Sequence, residues 1–288
     1  MSSHPLFVIG NKRSGSSLLV RLLNLHPRIL VTHEADIAWI LYQLVEKSGT
    51  PLRPHPLDEA KGMDASLAHH EEVLAALLRS QPVHRAEVRR AFDLFYDRVN
   101  RLGRGNWDPA AQKDDLAWIG DKKPVQHADP AIFSFLETSF PDARYLHVVR
   151  DPRYVVASMR EAARTWNDRS VPPHWRGSTS SIFRRWLQNE ERVQAARTSA
   201  GARLKTVPLE ALAADPVDRM SEVFAFLDLP LPTELGRTIE QSVWSTPNGR
   251  HEPADLGPIS KSEQRLIESY GYRRSGTARP SNKTNLLQ

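Results

Sequence analysis

Leu6-Phe7-Val8-Ile9 is a short apolar run closed by Gly10, and the segment just after it constrains the fold more than any other feature of the chain. Gly10-Asn11-Lys12-Arg13-Ser14-Gly15-Ser16-Ser17 is polar, basic and contains two glycines; beyond it Leu18, Leu19, Leu22, Leu23 and Leu25 recur at helical spacing until His26-Pro27 stops them. A few consecutive apolar residues ended by glycine are the pattern of a parallel strand buried on both faces. Strand, glycine turn and helix in that order build an anion site, because the first N–H groups of a helix lack partners within it and its dipole is positive there. A merely tight strand–helix turn is the plainer reading of the same residues.

The Gly10 to Gly15 interval matches the Walker A frame, which continues with Lys and then Ser or Thr. Ser16 stands in the Lys position and Ser17 in the hydroxyl position. The lysine that reaches the outer phosphates of a triphosphate is therefore missing, while Lys12 and Arg13 place cations earlier in the loop. A phosphate-like anion fits this loop and ATP fits it poorly. A P-loop kinase or nucleotide hydrolase is the alternative; it needs that lysine and a metal-binding Asp, which Asp121 or Asp151 could imitate.

Strand and helix signals then alternate. Ile29-Leu30-Val31 reads as a second strand, and Glu34 to Glu46 as a helix with Gly49 as its C-terminal cap. Helical stretches are expected near 58–80 and 83–102, with a loop over 103–115. Trp118-Ile119 and Tyr145–Val149 read as strands, Asp129-Pro130 as a helix start, and Leu204–Leu209 as the last strand. Helices are expected through Val155, Val156 and Met159, over 180–198, 216–227 and 260–269. The expected fold class is α/β, a three-layer P-loop-type fold with a central parallel sheet, right-handed crossovers and an inserted helical cap. One domain is expected over 1–288: core 5–49 and 117–272, a helical insertion at about 50–116, and a basic tail, 273–288, read as a frayed terminus.

Composition removes several chemistries. The 288 residues include no Cys, so disulfides, thiolate metal sites and a Cys nucleophile are excluded. His69-His70-Glu71-Glu72 lacks the His-Glu-x-x-His spacing of zinc sites and reads as a solvated helix face, so no metal is expected. The net charge of +5 is modest. Arg184, Arg185, Arg192 and Arg197 are interleaved with Glu190 and Glu191, which reads as a solvated face, so a non-catalytic nucleic-acid module is the weaker alternative. No apolar run approaches the ~20 residues of a membrane span, and the start of the chain lacks the pattern of a signal peptide. A cytoplasmic protein is expected.

The loop resembles the Arg/Lys-Ser-Gly-Thr-Thr signature of sulfotransferases that use 3′-phosphoadenosine 5′-phosphosulfate, with Arg13 on the basic position and Ser14, Gly15, Ser16 and Ser17 following. A second signature of that family is a strand ending in Arg with Ser eight residues on; here Arg150 and Ser158 match it. Arg13, His26-Pro27 and Thr32-His33-Glu34 keep the spacing of the tyrosylprotein and bacterial branch without a gap. The resemblance implies that Glu34 is the general base, with His33 as runner-up. It implies that Lys122, in Gly120-Asp121-Lys122-Lys123-Pro124, and Arg13 stabilise the leaving group, with Lys123 as fallback. Lys12, Arg13, Ser14, Gly15, Ser16, Ser17, Arg150, Ser158 and, more loosely, Arg250 would hold the donor, with Ser245 and Asn248 as further candidates on the late loop. Adenosine 3′,5′-bisphosphate would be the nucleotide product, and no metal is implied. The acceptor would be a hydroxyl or amine of a small molecule, carbohydrate or natural product. Trp107, Trp166 and Trp175 would line its pocket or pack in a local core. A homodimer is left open.

Overall fold

The computed structural model describes residues 3–47, 52–53, 56, 84–102, 112–165, 171, 173–243 and 251–272. The expected helix near 58–80, the His69–Glu72 run, Gly49, Trp107, Trp166, Ser245, Asn248, Arg250 and the basic tail lie outside the described residues.

Five parallel strands form one sheet in the order β2-β3-β1-β4-β5: β1 (His4–Gly10), β2 (Ile29–His33), β3 (Trp118–Lys122), β4 (Arg144–Val149) and β5 (Leu204–Pro208). Alternation along β1 sets the layers. Leu6 and Val8 face a cluster with helix α1 (Ser16–Leu25), and Phe7 and Ile9 face a second with α2 (Ile37–Glu46) and α3 (Val88–Arg101). The helix α3 seats Phe92, Phe95 and Tyr96 against the sheet, and Phe7 and Phe92 lie with ring centroids 5.8 Å apart. Between β3 and β4 run α4 (Pro124–His127) and α5 (Pro130–Ser139), the latter capped by Asp129, whose side chain accepts from the Ala131 N–H. The helix α6 (Pro152–Thr165) leaves β4, and the long α7 (Thr179–Ala200) returns across the Phe7 face. After β5 come α8 (Leu209–Ala214), α9 (Pro216–Phe226) and α10 (Leu235–Ser242), which pack on the Leu6 face, and then α11 (Lys261–Ser269). None of the described helices is long and apolar enough to cross a membrane.

The elements follow the expected order, with differences that have local causes. β2 runs on to His33, and α2 starts only at Ile37, because Glu34 and Asp36 take left-handed backbone angles between them. Short α4, α8 and α10 carry too few turns to register as a period. Trp175 is buried against Val149, Val155 and Trp186, which is the local-core reading of that residue.

His26 shows how the first crossover closes. Its Nδ1 accepts from the Arg28 N–H at 3.1 Å, so the ring is the Nε2–H tautomer and donates to the Pro230 carbonyl at 3.2 Å. Burial lowers the His26 pKa, Lys113 and Arg28 add to that, and the Pro230 carbonyl and Glu234 oppose it. The unfolded chain thus binds more protons than the native one just below the ordinary histidine pKa, and stability falls as pH falls. We predict that the urea midpoint drops between about pH 7.5 and about pH 5.5, and that the drop is smaller in His26→Gln, measured as the slope of midpoint against pH.

Candidate active site

The chain leaves β1 toward β2 and leaves β4 toward β5, on opposite sides. The crevice of a parallel sheet opens where such connections diverge, beyond the C-terminal strand ends. The two anion motifs stand on its two banks: the loop from Gly10 to Ser17 comes after β1, and Arg150 comes after β4.

The backbone of the loop is set by contact. Gly10 has φ of 137°, and a Cβ there would lie 2.3 Å from the Val148 carbonyl oxygen of β4. Gly15, at φ of 91°, ends the loop as the N-cap of α1, with the Leu209 side chain where a Cβ would go. Arg13 is also left-handed, at φ of 67°, a geometry that costs a non-glycine residue about 1–2 kcal/mol. The loop is held from below by α7: Asn189 Nδ2 donates to the Gly10 carbonyl at 2.7 Å, and Asn11 Nδ2 to Glu190 Oε1 at 2.7 Å. Glu190 is fully buried, so it does not belong to the solvated arginine face expected for α7. It also accepts from the Tyr270 hydroxyl at 2.7 Å.

The two motifs meet. Arg13 Nε donates to Ser158 Oγ at 3.0 Å, and Arg150 Nη1 donates to the Arg13 carbonyl at 3.1 Å. Burial lowers the pKa of both guanidiniums; for Arg150 the neighbouring Arg13 charge lowers it further, while Glu210, Tyr272 and Asp151 raise it. Two partly desolvated cations side by side are the arrangement that an anion relieves. Ser14 is fully buried and its hydroxyl has no hydrogen-bond partner among the described residues, while Ser16 is buried at the first turn of α1, and Lys12 is half-buried. Glu210 accepts from the Asp151 N–H at 3.2 Å and from the Tyr272 hydroxyl at 2.7 Å, which fixes the turn after Arg150.

The second part of the site sits at the ends of β2 and β3. Ser17 Oγ and His33 Nε2 lie 2.9 Å apart, joining the start of α1 to the end of β2. Lys122 Nζ donates to Glu34 Oε1 at 2.9 Å, and the lysine is buried while the carboxylate keeps a partly exposed side chain. Lys123 pairs with the next carboxylate along: its Nζ lies 2.6 Å from Asp36 Oδ1. Asp121 is fully buried, accepts from Thr32 Oγ1 at 2.9 Å and from the Ala35 N–H at 3.1 Å, and burial raises its pKa to about 6. Asp151 accepts from the Arg153 N–H and pairs with its guanidinium. Both aspartates that could imitate a kinase metal ligand are thus engaged in holding backbone. The segment 253–259 crosses beside Pro152 and Arg153 and, with α11, borders a cavity of about 350 Å³.

The family model described as the sulfotransferase family matches residues 5–233. The chain belongs to the sulfotransferase family. Among solved structures, the sulfotransferase domain of the olefin synthase of Synechococcus PCC 7002 is 19% identical, with 95% of this chain and 96% of that one covered at a TM-score of 0.53. The sulfotransferase domain from the curacin biosynthetic pathway is 17% identical, with 94% and 98% covered at 0.52. Sulfotransferase STF9 from Mycobacterium avium is 15% identical, with 94% and 76% covered at 0.52. These likenesses show the shared fold. No curated protein matches the chain. The family places the enzyme among the sulfotransferases, and the all-parallel five-stranded sheet is the α/β P-loop-type architecture expected from the alternating strands and helices.

In this sulfotransferase the glycine contact yields a direct test. Gly10→Ala would force the loop from Val148 and should lower stability by about 3 kcal/mol or more, read as a fall in urea midpoint. A midpoint unchanged from wild type would show that the β1–β4 approach is not tight.

Proposed function

We propose that the enzyme transfers the sulfuryl group of 3′-phosphoadenosine 5′-phosphosulfate to a hydroxyl or amine of a small-molecule, carbohydrate or natural-product acceptor. The observation that carries this reading is the junction of the two anion motifs, Arg13 with Ser158 and Arg150 with Arg13. A donor carrying phosphate-type groups at both its 5′ and 3′ positions needs two anion grips at a fixed separation, and a simple mononucleotide does not.

The residues fit such a ligand. The buried Ser14 hydroxyl, which has no partner among the described residues, the hydroxyls of Ser16 and Ser17, and the α1 N-terminus would offer donors to the phosphosulfate, with Lys12 and Arg13 supplying charge. Arg150, supported by Ser158, would take the 3′-phosphate; a guanidinium can do so bidentately. Arg250 is assigned to the donor by the resemblance alone. The donor supplies an activated sulfuryl group with a bisphosphate leaving group.

Glu34 would take the proton from the acceptor nucleophile at its carboxylate. Lys122 keeps that carboxylate oriented and, together with Arg13, would stabilise the charge that develops on the leaving oxygen. The nucleophile attacks sulfur in line, the S–O bond to the phosphate breaks, and the proton rests on Glu34. His33 is the other candidate base, but its Nε2 is turned to Ser17.

With the purified enzyme, the donor and a panel of phenolic and carbohydrate acceptors, formation of adenosine 3′,5′-bisphosphate is the assay. Glu34→Gln should cut turnover by about 100-fold or more while leaving donor affinity within about twofold. Undiminished turnover in Glu34→Gln would remove Glu34 from the reaction and return the role to His33.

A further inference from the structure

Adjacent lysines at the end of β3 serve two carboxylates that flank a strained turn. Lys122 pairs with Glu34 and Lys123 with Asp36. Residues 34–36 connect β2 to α2, and both Glu34 (φ of 61°) and Asp36 (φ of 57°) lie in the left-handed region that L side chains with a Cβ rarely enter. Such a backbone persists only where its surroundings hold it. Here the holding groups named come from the end of β3 and the short helix α4 after it. The Glu34 N–H donates to the Lys122 carbonyl at 3.0 Å, the Ala35 N–H donates to Asp121 Oδ1 at 3.1 Å, and Asp36 Oδ1 receives both Lys123 Nζ and Gln126 Nε2, the latter at 3.0 Å. Asp36, Asp121, Lys123 and Gln126 are all buried, so solvent does not screen these contacts.

The consequence is directional. Side chains alternate along a strand, so if Glu34 relaxed into an extended continuation of β2 its carboxylate would swing away from Lys122. With the left-handed turn, Glu34 Oε1 lies within reach of Lys122 Nζ. We propose that Lys123, through its buried pair with Asp36 and with Gln126 as second support, is a positioning residue that holds the Glu34 carboxylate in its working direction. The inference rests on the reading of Glu34 as base. It separates two lysines that sequence alone leaves interchangeable: Lys122 acts on the reacting groups, and Lys123 acts on the backbone that carries the base.

The test uses the full chain and four variants: Lys123→Met, Gln126→Met, Glu34→Gln and the double variant Glu34→Gln/Lys123→Met. Affinity for adenosine 3′,5′-bisphosphate is measured by calorimetry, and kcat with a working acceptor. Lys123→Met should lower kcat by about tenfold or more and leave bisphosphate affinity within about twofold; Gln126→Met should do the same more mildly and stands in if Lys123→Met does not fold. In the Glu34→Gln background the Lys123 change should cost no further rate, because the group it positions is gone. An unchanged kcat in Lys123→Met and Gln126→Met, an equal fall in the Glu34→Gln background, or a fall in bisphosphate affinity that matches the fall in rate would overturn the proposal. A Glu34→Gln enzyme as fast as wild type would instead remove the base reading on which it stands.

Discussion

Five parallel strands end along one edge, and every charged group of the site rides on backbone that leaves that edge. A tight point at that edge is the approach of Gly10 in β1 to the Val148 carbonyl in β4, where no Cβ can enter. That approach sets the loops that bear Arg13 and Arg150 beside each other, where Arg150 donates to the Arg13 carbonyl and Arg13 donates to Ser158 of α6. On the other flank of β1, β3 puts Lys122 and Lys123 under the end of β2 and so defines where Glu34 and Asp36 can go.

Fixing so many like charges requires opposite ones in the interior. Asp36, Asp121 and Glu190 are buried, and each receives hydrogen bonds from groups that shape the site rather than from solvent. Two tyrosines at the end of the described chain complete the arrangement. Tyr270 binds Glu190, which holds Asn11 of the Gly10–Ser17 loop; Tyr272 binds Glu210, which holds the Asp151 N–H beside Arg150. Burial beside those carboxylates raises the pKa of both phenols, so they remain donors across the physiological range. The end of the described chain is thereby tied to the loop after β1 and the turn after β4.

The two motifs were legible in the residues, because strand, glycine loop and helix are contiguous and Arg150 and Ser158 lie within one strand–helix unit. The layer order was readable for the same reason: each crossover carries its own period. The supports were not. Asp36 and Lys123, Asn11 and Glu190, and Asp151 and Glu210 are far apart in the chain and meet only through the sheet. Nothing local distinguishes Glu190, fully buried, from exposed Glu191 on the same helix. A left-handed Glu34 also leaves no trace in composition, since glycine and asparagine are the residues that advertise such angles. The reading of Glu34 to Glu46 as one helix failed at this turn, where tertiary contacts override the helical start.

The claim at the centre of this account is that one crevice grips two phosphate-type groups, one from each bank. Calorimetric titration of the purified enzyme with adenosine 3′,5′-bisphosphate, AMP and ATP, repeated on Arg150→Ala, tests it most directly. The account predicts that the bisphosphate binds at least about tenfold more tightly than AMP, a difference of ~1.4 kcal/mol or more, and that Arg150→Ala erases the difference. Equal affinity for bisphosphate and AMP in the wild type, or magnesium-dependent ATP binding tighter than either, would contradict it.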